Sequence, residues 1–243
     1  MKILIQFPTL GRPDKFLHVF RKYVLMSSGK HDLFFNINCD SADFSMTAEY
    51  VKTSVHEIVS PVEHVEALMN YDVATSKISA INSNITEVEF DWDIVVCASD
   101  DMVPKVDGWD NEIAIAMEEH FPNLDGCVHF NDGNTNGELI TFSILGKKLY
   151  ESFGYIYHPD YKSLYCDNEF TEEVKRMNRE KYIDKVIVSH EHWSVEGSEN
   201  HNEVDIAVRK TLHYSGRDQR VFEARKSLGF PRGRITEDFG GRW

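Results

Sequence analysis

A chain of 243 residues can bury a substantial core, so one domain spanning residues 1–243 is expected rather than two. Its formal net charge of -14 opposes nucleic acid and anionic membrane at long range, yet permits a phosphate-bearing small ligand where a cation supplies local positive charge. Only Lys2 precedes the short apolar run from Ile3 to Phe7, which has the length of neither a secretory leader nor a transmembrane span. The widely spaced Cys39, Cys97, Cys127 and Cys166 lack the close pairing of a structural zinc site, and a soluble protein of the reducing cytoplasm is the expectation.

Residues 2–7 read as a strand that Pro8, Gly11, Arg12 and Pro13 break. A helix follows over residues 14–26, with Asp14 as its cap and Phe16, Val19, Phe20 and Tyr23 as its buried stripe. The apolar run 33–37 predicts a second strand ending at Asn38, Cys39 and Asp40, and the run 55–59 a third, stopped by Pro61. Over residues 65–82, Ala67, Leu68, Tyr71, Ala74, Ile78 and Ile81 recur with a helical period. Residues 92–98 then read as a buried strand, because Ile94, Val95, Val96 and Cys97 run on without polar alternation.

This repeated change of period points to a layered α/β sheet rather than an all-β barrel. Ligands of such sheets bind at the carboxyl ends of strands, where Asp100 and Asp101 would lie. Downstream, helices are expected at 108–119, 147–153 and 169–177, and strands at 126–130, 139–144 and 186–189. Residues 131–137 form the clearest polar turn, and Tyr155, Tyr157, Tyr161 and Tyr165 an aromatic stretch suited to packing or to a sugar face. Residues from about 196 form a helical, basic C-terminal extension, helical mainly over 203–224, whose cations include Arg209, Lys210, Arg225 and Arg242. These cations read as a solvated face or as a phosphate contact.

Three clusters carry chemistry. Adjacent carboxylates at Ser99-Asp100-Asp101 can collect a hard divalent cation, Mn²⁺ or Mg²⁺, together with substrate phosphates. On an extended segment His190 and His192 point to one side, with Trp193 adjacent and Glu191 opposite, so that one imidazole can join the metal. Either of Asp167 and Glu169 can act as a general base toward a hydroxyl, or support the start of a helix.

The order of these clusters resembles that of the GT-A glycosyltransferases, particularly the family 2 type. Phe7-Pro8-Thr9-Leu10-Gly11-Arg12-Pro13 resembles the first strand and donor-contacting turn, and Asn38-Cys39-Asp40-Ser41-Ala42-Asp43 the acidic turn after the second strand. Ser99-Asp100-Asp101 resembles the Asp-x-Asp metal motif in a shortened form. Asp167-Asn168-Glu169-Phe170 is similar to the acceptor-side acidic segment, and His190-x-His192 to the late metal-binding histidine. The resemblance implies a GT-A-like, Rossmann-like mixed sheet flanked by helices. It implies transfer, with inversion, from a nucleoside diphosphate sugar to a hydroxyl-bearing glycan or small-molecule acceptor, without nucleic-acid or transmembrane partners. Thr9, Arg12, Asp40, Lys77 and Asp100 would position the nucleotide. Asp100, Asp101, His192 and His190 would serve the metal, and Asp167 or Glu169 would be the base. A sugar nucleotidyltransferase and a noncatalytic nucleotide-sugar or glycan-binding module are the alternative readings.

Overall fold

The computed structural model describes residues 1–192 and 205–235. Trp193, residues 196–204 of the expected extension and Arg242 lie outside them.

The apolar opening of the chain becomes β1 (Lys2–Thr9), a central strand with every residue from Ile3 to Phe7 buried. Ile3, Ile5 and Phe7 join a hydrophobic cluster on one face of the sheet and Leu4 joins another on the opposite face, as a strand buried on both sides requires. The chain then turns at Gly11, whose φ of +69° lies in the left-handed region, and Pro13 opens α1 (Pro13–Leu25). Arg12, not Asp14, occupies the cap position, without a capping hydrogen bond; Asp14 stands within the first turn, where it complements the helix dipole.

Parallel strands β2 (Asp32–Asp40) and, after α2 (Glu49–Val59), β3 (Val65–Asp72) extend the sheet on one side of β1. On its other side β4 (Ile94–Cys97) is also parallel. Two of these elements depart from expectation. Residues 55–59 close a helix: Val51, Val55 and Ile58 are its buried face, and a five-residue apolar window cannot separate its last turn from a strand. Residues 65–72 form a strand although Ala67, Leu68 and Met69 favour helix, because eight successive pairings with β2 override that weak preference. The expected helix survives only as α3 (Lys77–Asn82), started by a capping box in which Ser76 and Ser79 exchange hydrogen bonds.

Beyond β4 lie β5 (Met102–Pro104), α4 (Trp109–His120), β6 (Cys127–Phe130), β7 (Ile144–Gly146), α5 (Lys147–Phe153), α6 (Cys166–Arg176), β8 (Glu180–Ile183), β9 (Val188–His190) and α7 (Ile206–Ser227). The main sheet has the order β3-β2-β1-β4-β7-β6-β8, with β7 antiparallel to both neighbours. The strand expected at 139–144 therefore begins only at Ile144. The short β5 and β8 were not expected at all, and β9 pairs with β5 in a separate ribbon. Helices α1, α2 and α4 cover one face of the sheet through Phe16, Val51 and Ile113; α3, α5, α6 and α7 cover the other through Ile78, Leu149, Phe170 and Val221. Tyr157 and Tyr161 pack within this second layer. All four cysteines are buried and unpaired, with burial pushing the Cys39, Cys97 and Cys127 thiols up to about 12. Among the described residues no helix is long and apolar enough to cross a membrane.

Candidate functional site

The carboxyl ends of β1, β2 and β4 open onto one cavity of about 310 Å³. Thr9 reaches it from the end of β1, Arg12 from the turn after it, Asp40 from the end of β2, Lys77 from the start of α3, Asp100 and Asp101 from the turn after β4, and His192 from beyond β9. Seven of the residues expected in the site therefore share one wall system. The C-terminal helix also lines the cavity: of its cations read as a solvated face or a phosphate contact, Lys210 reaches it, with Ala207, Val208, Thr211 and Tyr214 of α7 and, not expected, Lys162, Ser163 and Leu164.

Arg12 organises the centre. Its Nη1 donates to Asp100 Oδ1 at 2.9 Å, while Nε and Nη2 donate to the two carboxylate oxygens of Asp205, the cap of α7. Burial works against the guanidinium charge, but Asp205 and Asp100 outweigh it and hold Arg12 above its ordinary value. Thr9 Oγ1 donates to the second oxygen of Asp100 at 3.1 Å. Gly11 is needed for more than its φ, since a Cβ there would stand 2.5 Å from Ile206 at the start of α7.

The two adjacent carboxylates are driven in opposite directions. Burial and the neighbouring Asp101 raise Asp100, with Arg12 opposing. For Asp101 burial also acts upward, but the nearby His190, Lys77 and the Ser99 hydroxyl that donates to it outweigh burial and hold it well below the usual carboxylate range. Asp101 thus carries the accessible negative charge of the pair.

The histidine segment is brought here by long-range pairing. In the β5–β9 ribbon Met102 lies opposite His190, and Glu191 N donates to Asp101 O at 2.7 Å. From the other side, His190 N donates to Asp132 O at 2.9 Å and Asn134 Nδ2 to His190 O at 2.6 Å. The polar turn 131–137 is therefore a bracket for this strand, with Asp132 itself fixed by Asn134, Thr135 and Thr141. His190 Nε2 stands 3.7 Å from Asp101 Oδ2 and is not among the residues lining the cavity, whereas His192 lines it with its ring 5.2 Å from that of His190. Burial, reinforced by His190, lowers His192 to about 4, so the imidazole is neutral near pH 7. Glu191 points elsewhere, to Lys105 at 2.7 Å.

Asp167 and Glu169 are separated by helix geometry. Both lie in the first turn of α6, and residues two apart on a helix diverge by about 200°. Glu169 turns to α7, where Arg225 Nε and Nη2 donate to its oxygens at 2.8 and 2.9 Å and Tyr161 adds a third bond at 2.8 Å. Asp167 faces the electrostatic field of Lys77 and His190; burial raises it and Lys77 opposes. Neither lines the cavity.

The sequence showed α7 as a helix but not how it packs, because its buried face does not read as apolar. Tyr214, Asp218, Val221 and Arg225 recur at intervals of four, three and four, a helical period in which two members are charged. Asp218 accepts the backbone N–H groups of Lys162, Ser163 and Leu164 and thereby fixes the segment leading to Asp167.

Among the described residues, no group of three His, Cys, Asp and Glu side chains is placed to hold a metal. The Asp101 carboxylate and the neutral His192 imidazole both line the cavity, while Asp100 is engaged by Arg12 and Thr9 and Asp40 stands at the end of β2. Asp101 and His192 fit a cation that takes its remaining ligands from water and substrate phosphates.

No protein-family model and no curated sequence matches the chain. Solved structures do. A mannosyltransferase, PcManGT from Pyrobaculum calidifontis in complex with GDP-Man and Mn²⁺, superposes with a TM-score of 0.63 at 10% identity, over 93% of this chain and 64% of that one. The fold is GT-A-like. S. aureus TarS 1-349 superposes with a TM-score of 0.56 at 11% identity, over 95% of this chain and 83% of its own. Glucosyl-3-phosphoglycerate synthase from Mycobacterium tuberculosis, in complex with Mg²⁺ and UDP, gives 0.56 at 10% identity, over 95% and 80%. At these identities the likeness shows the fold alone and leaves activity to the site.

Proposed function

We propose that this chain is a glycosyltransferase moving a sugar from a nucleoside diphosphate sugar to a hydroxyl of a glycan or small-molecule acceptor, with inversion. The observation that carries this reading is the single cavity in which Arg12, Lys77, Asp101 and His192 converge at the carboxyl ends of the central strands. In a chain of net charge -14, cations gathered there supply the local positive charge that a diphosphate needs.

Thr9, Arg12, Asp40, Lys77 and Asp100 orient the nucleotide. Asp101 and His192 would hold Mn²⁺ or Mg²⁺ together with the donor's own phosphates, and such a cation would supply charge stabilisation to the departing diphosphate. Asp100 acts through its bond to Arg12, and His190 through its contact with Asp101. As the acceptor oxygen bonds to the anomeric carbon and the bond to the diphosphate breaks, Asp167 takes the hydroxyl proton; burial suits it to that work by raising its affinity for a proton. Glu169, closed in by Arg225 and Tyr161, holds α6 against α7.

Product analysis on a panel of nucleoside diphosphate sugars and hydroxyl acceptors tests the assignment. The expected products are free nucleoside diphosphate and a glycosylated acceptor. Pyrophosphate release would mark a nucleotidyltransferase instead, and binding with neither product a noncatalytic module.

A further inference from the structure

The main sheet ends at β3, and among the described residues no strand covers its outer edge. Leu33 N donates to His64 O and Ser41 N to Asp72 O, which sets the phase of the strand. Its even-numbered residues turn their backbone groups to β2, so Ala67, Met69 and Tyr71 turn theirs outward. Such a row of N–H and C=O groups is a template for a further strand, and edges are commonly blunted by proline, lysine, a bulge or short length. β3 keeps unbroken register with β2 over eight residues and contains neither Pro nor Lys; before Asp72 at its end, Glu66 is its one charge.

Apolar side chains stand open on both faces of this edge. On one face Ala67, Met69 and Tyr71, with Val55 and Val59 of α2, line a groove of about 370 Å³, and Lys52 Nζ stands 5.0 Å from the centre of the Tyr71 ring. On the other, Leu68 is 46% exposed.

The sequence of β3 is complementary to itself in one antiparallel register. Outward-facing groups must meet outward-facing groups, so odd-numbered residues pair with odd-numbered residues and a two-fold axis falls on a residue. An axis on Leu68 pairs Ala67 with Met69, Tyr71 with Val65, and Leu68 with itself. The same register sets Glu66 against Asn70 and Asp72 against His64, so no two carboxylates meet. Met69 of one copy then lies beside Ala67 of the other, whose small side chain leaves room in the groove. Moving the axis to Met69 opposes Glu66 to Asp72, a destabilising like-charge pair. Moving it to Ala67 sets Glu66 against Leu68, and moving it to Asn70 sets Asp72 against Leu68.

We infer that β3 is the interface of a two-fold homodimer, in which the β3 strands of two copies pair antiparallel about Leu68 and join the two main sheets into one. The inference is independent of the donor-site reading. Net charge of -14 on each copy opposes the encounter at long range, so the pairing belongs to conditions in which charges beyond about 8 Å are screened.

Sedimentation equilibrium of the full chain at about 150 mM salt tests it. At about 100 µM the wild-type chain should have the mass of a dimer. Leu68→Lys sets two ammonium groups across the axis and should weaken the dimer at least about tenfold, with an unchanged circular dichroism spectrum because the side chain is exposed in the single chain. Register is read by oxidation. Residues facing each other in a non-hydrogen-bonded antiparallel pair lie about 4.5 Å apart at Cα, within the span of a disulfide. Leu68→Cys should therefore form a covalent dimer under mild oxidant and Met69→Cys should not, against a background of four buried native cysteines. A wild-type chain that stays monomeric at about 100 µM would overturn the inference and leave the edge to a strand of another protein. Dimerisation of Leu68→Lys as tight as wild type, or crosslinking of Met69→Cys in preference to Leu68→Cys, would also overturn it.

Discussion

Arg12 and Asp205 stand 193 positions apart in the chain, yet the guanidinium donates to both oxygens of that carboxylate while a third nitrogen holds Asp100. One side chain thus ties the turn after β1, the acidic turn after β4 and the start of α7 into the rim of one cavity. Arg12→Lys keeps the charge and loses the planar fork. Affinity for nucleoside diphosphate should fall about tenfold by calorimetry, with the melting temperature lowered as the link to α7 is broken. Asp205→Ala also removes the cap of α7, a loss of about 1 kcal/mol that melting would register. Unchanged diphosphate affinity in Arg12→Lys would remove Arg12 from the donor contacts.

Metal binding should depend on the nucleotide. With Asp101 and His192 as the only protein donors proposed, Mn²⁺ alone should titrate weakly, and far more tightly once nucleoside diphosphate is present. Asp101→Ala and His192→Ala should each abolish that enhancement in a calorimetric titration. Equally tight Mn²⁺ binding with and without nucleotide would point to a complete protein-made site elsewhere.

Asp167 and Glu169 should fail in different ways. Asp167→Asn removes the proton acceptor and should lower kcat by about 10²–10⁴ with donor affinity unchanged. Glu169→Ala leaves the fully buried Arg225 without its main partner and should cost about 3–5 kcal/mol of stability, read by denaturant unfolding. A stable Glu169→Gln variant with normal donor affinity and lost turnover would reverse the assignment.

The bracket at Asp132 should give acid-sensitive stability. Burial acts to raise this carboxyl, but bonds from Thr135, Thr141 and Asn134 outweigh it and hold it below its ordinary value. Its protons are therefore bound more readily in the unfolded chain. The stabilisation is fully present above about pH 4 and is lost as pH falls through the lowered folded value. The melting temperature of Asp132→Asn should lie below wild type near neutrality, and the gap should close as pH falls below about 4. A gap that stays constant down to pH 2 would show that the carboxylate charge contributes nothing to the bracket.

The apolar runs of β1, β2 and β4, the stripe of α1 and the turn residues after each strand determined by themselves a layered α/β sheet with Asp100 and Asp101 at a strand end. Those features follow from local periodicity and backbone chemistry, which a sequence displays directly. Local pattern misled where a remote partner decided the outcome: residues 65–72 are a strand because β2 pairs with them, and Val55 and Ile58 are helical because Val51 and the residues before them complete the turn. Thr9, Arg12, Asp40, Lys77, Asp100, Asp101 and His192, singled out because charged and hydroxyl groups at strand ends stand out from an apolar background, do line one cavity. Tertiary structure alone decided that α7 lines the cavity, that Glu169 belongs to Arg225, and that Asn38 Nδ2 is buried without an acceptor among the described residues. Each of those outcomes depends on which polar groups meet across the fold once water is excluded, and neither hydropathy nor spacing along the chain records such pairings.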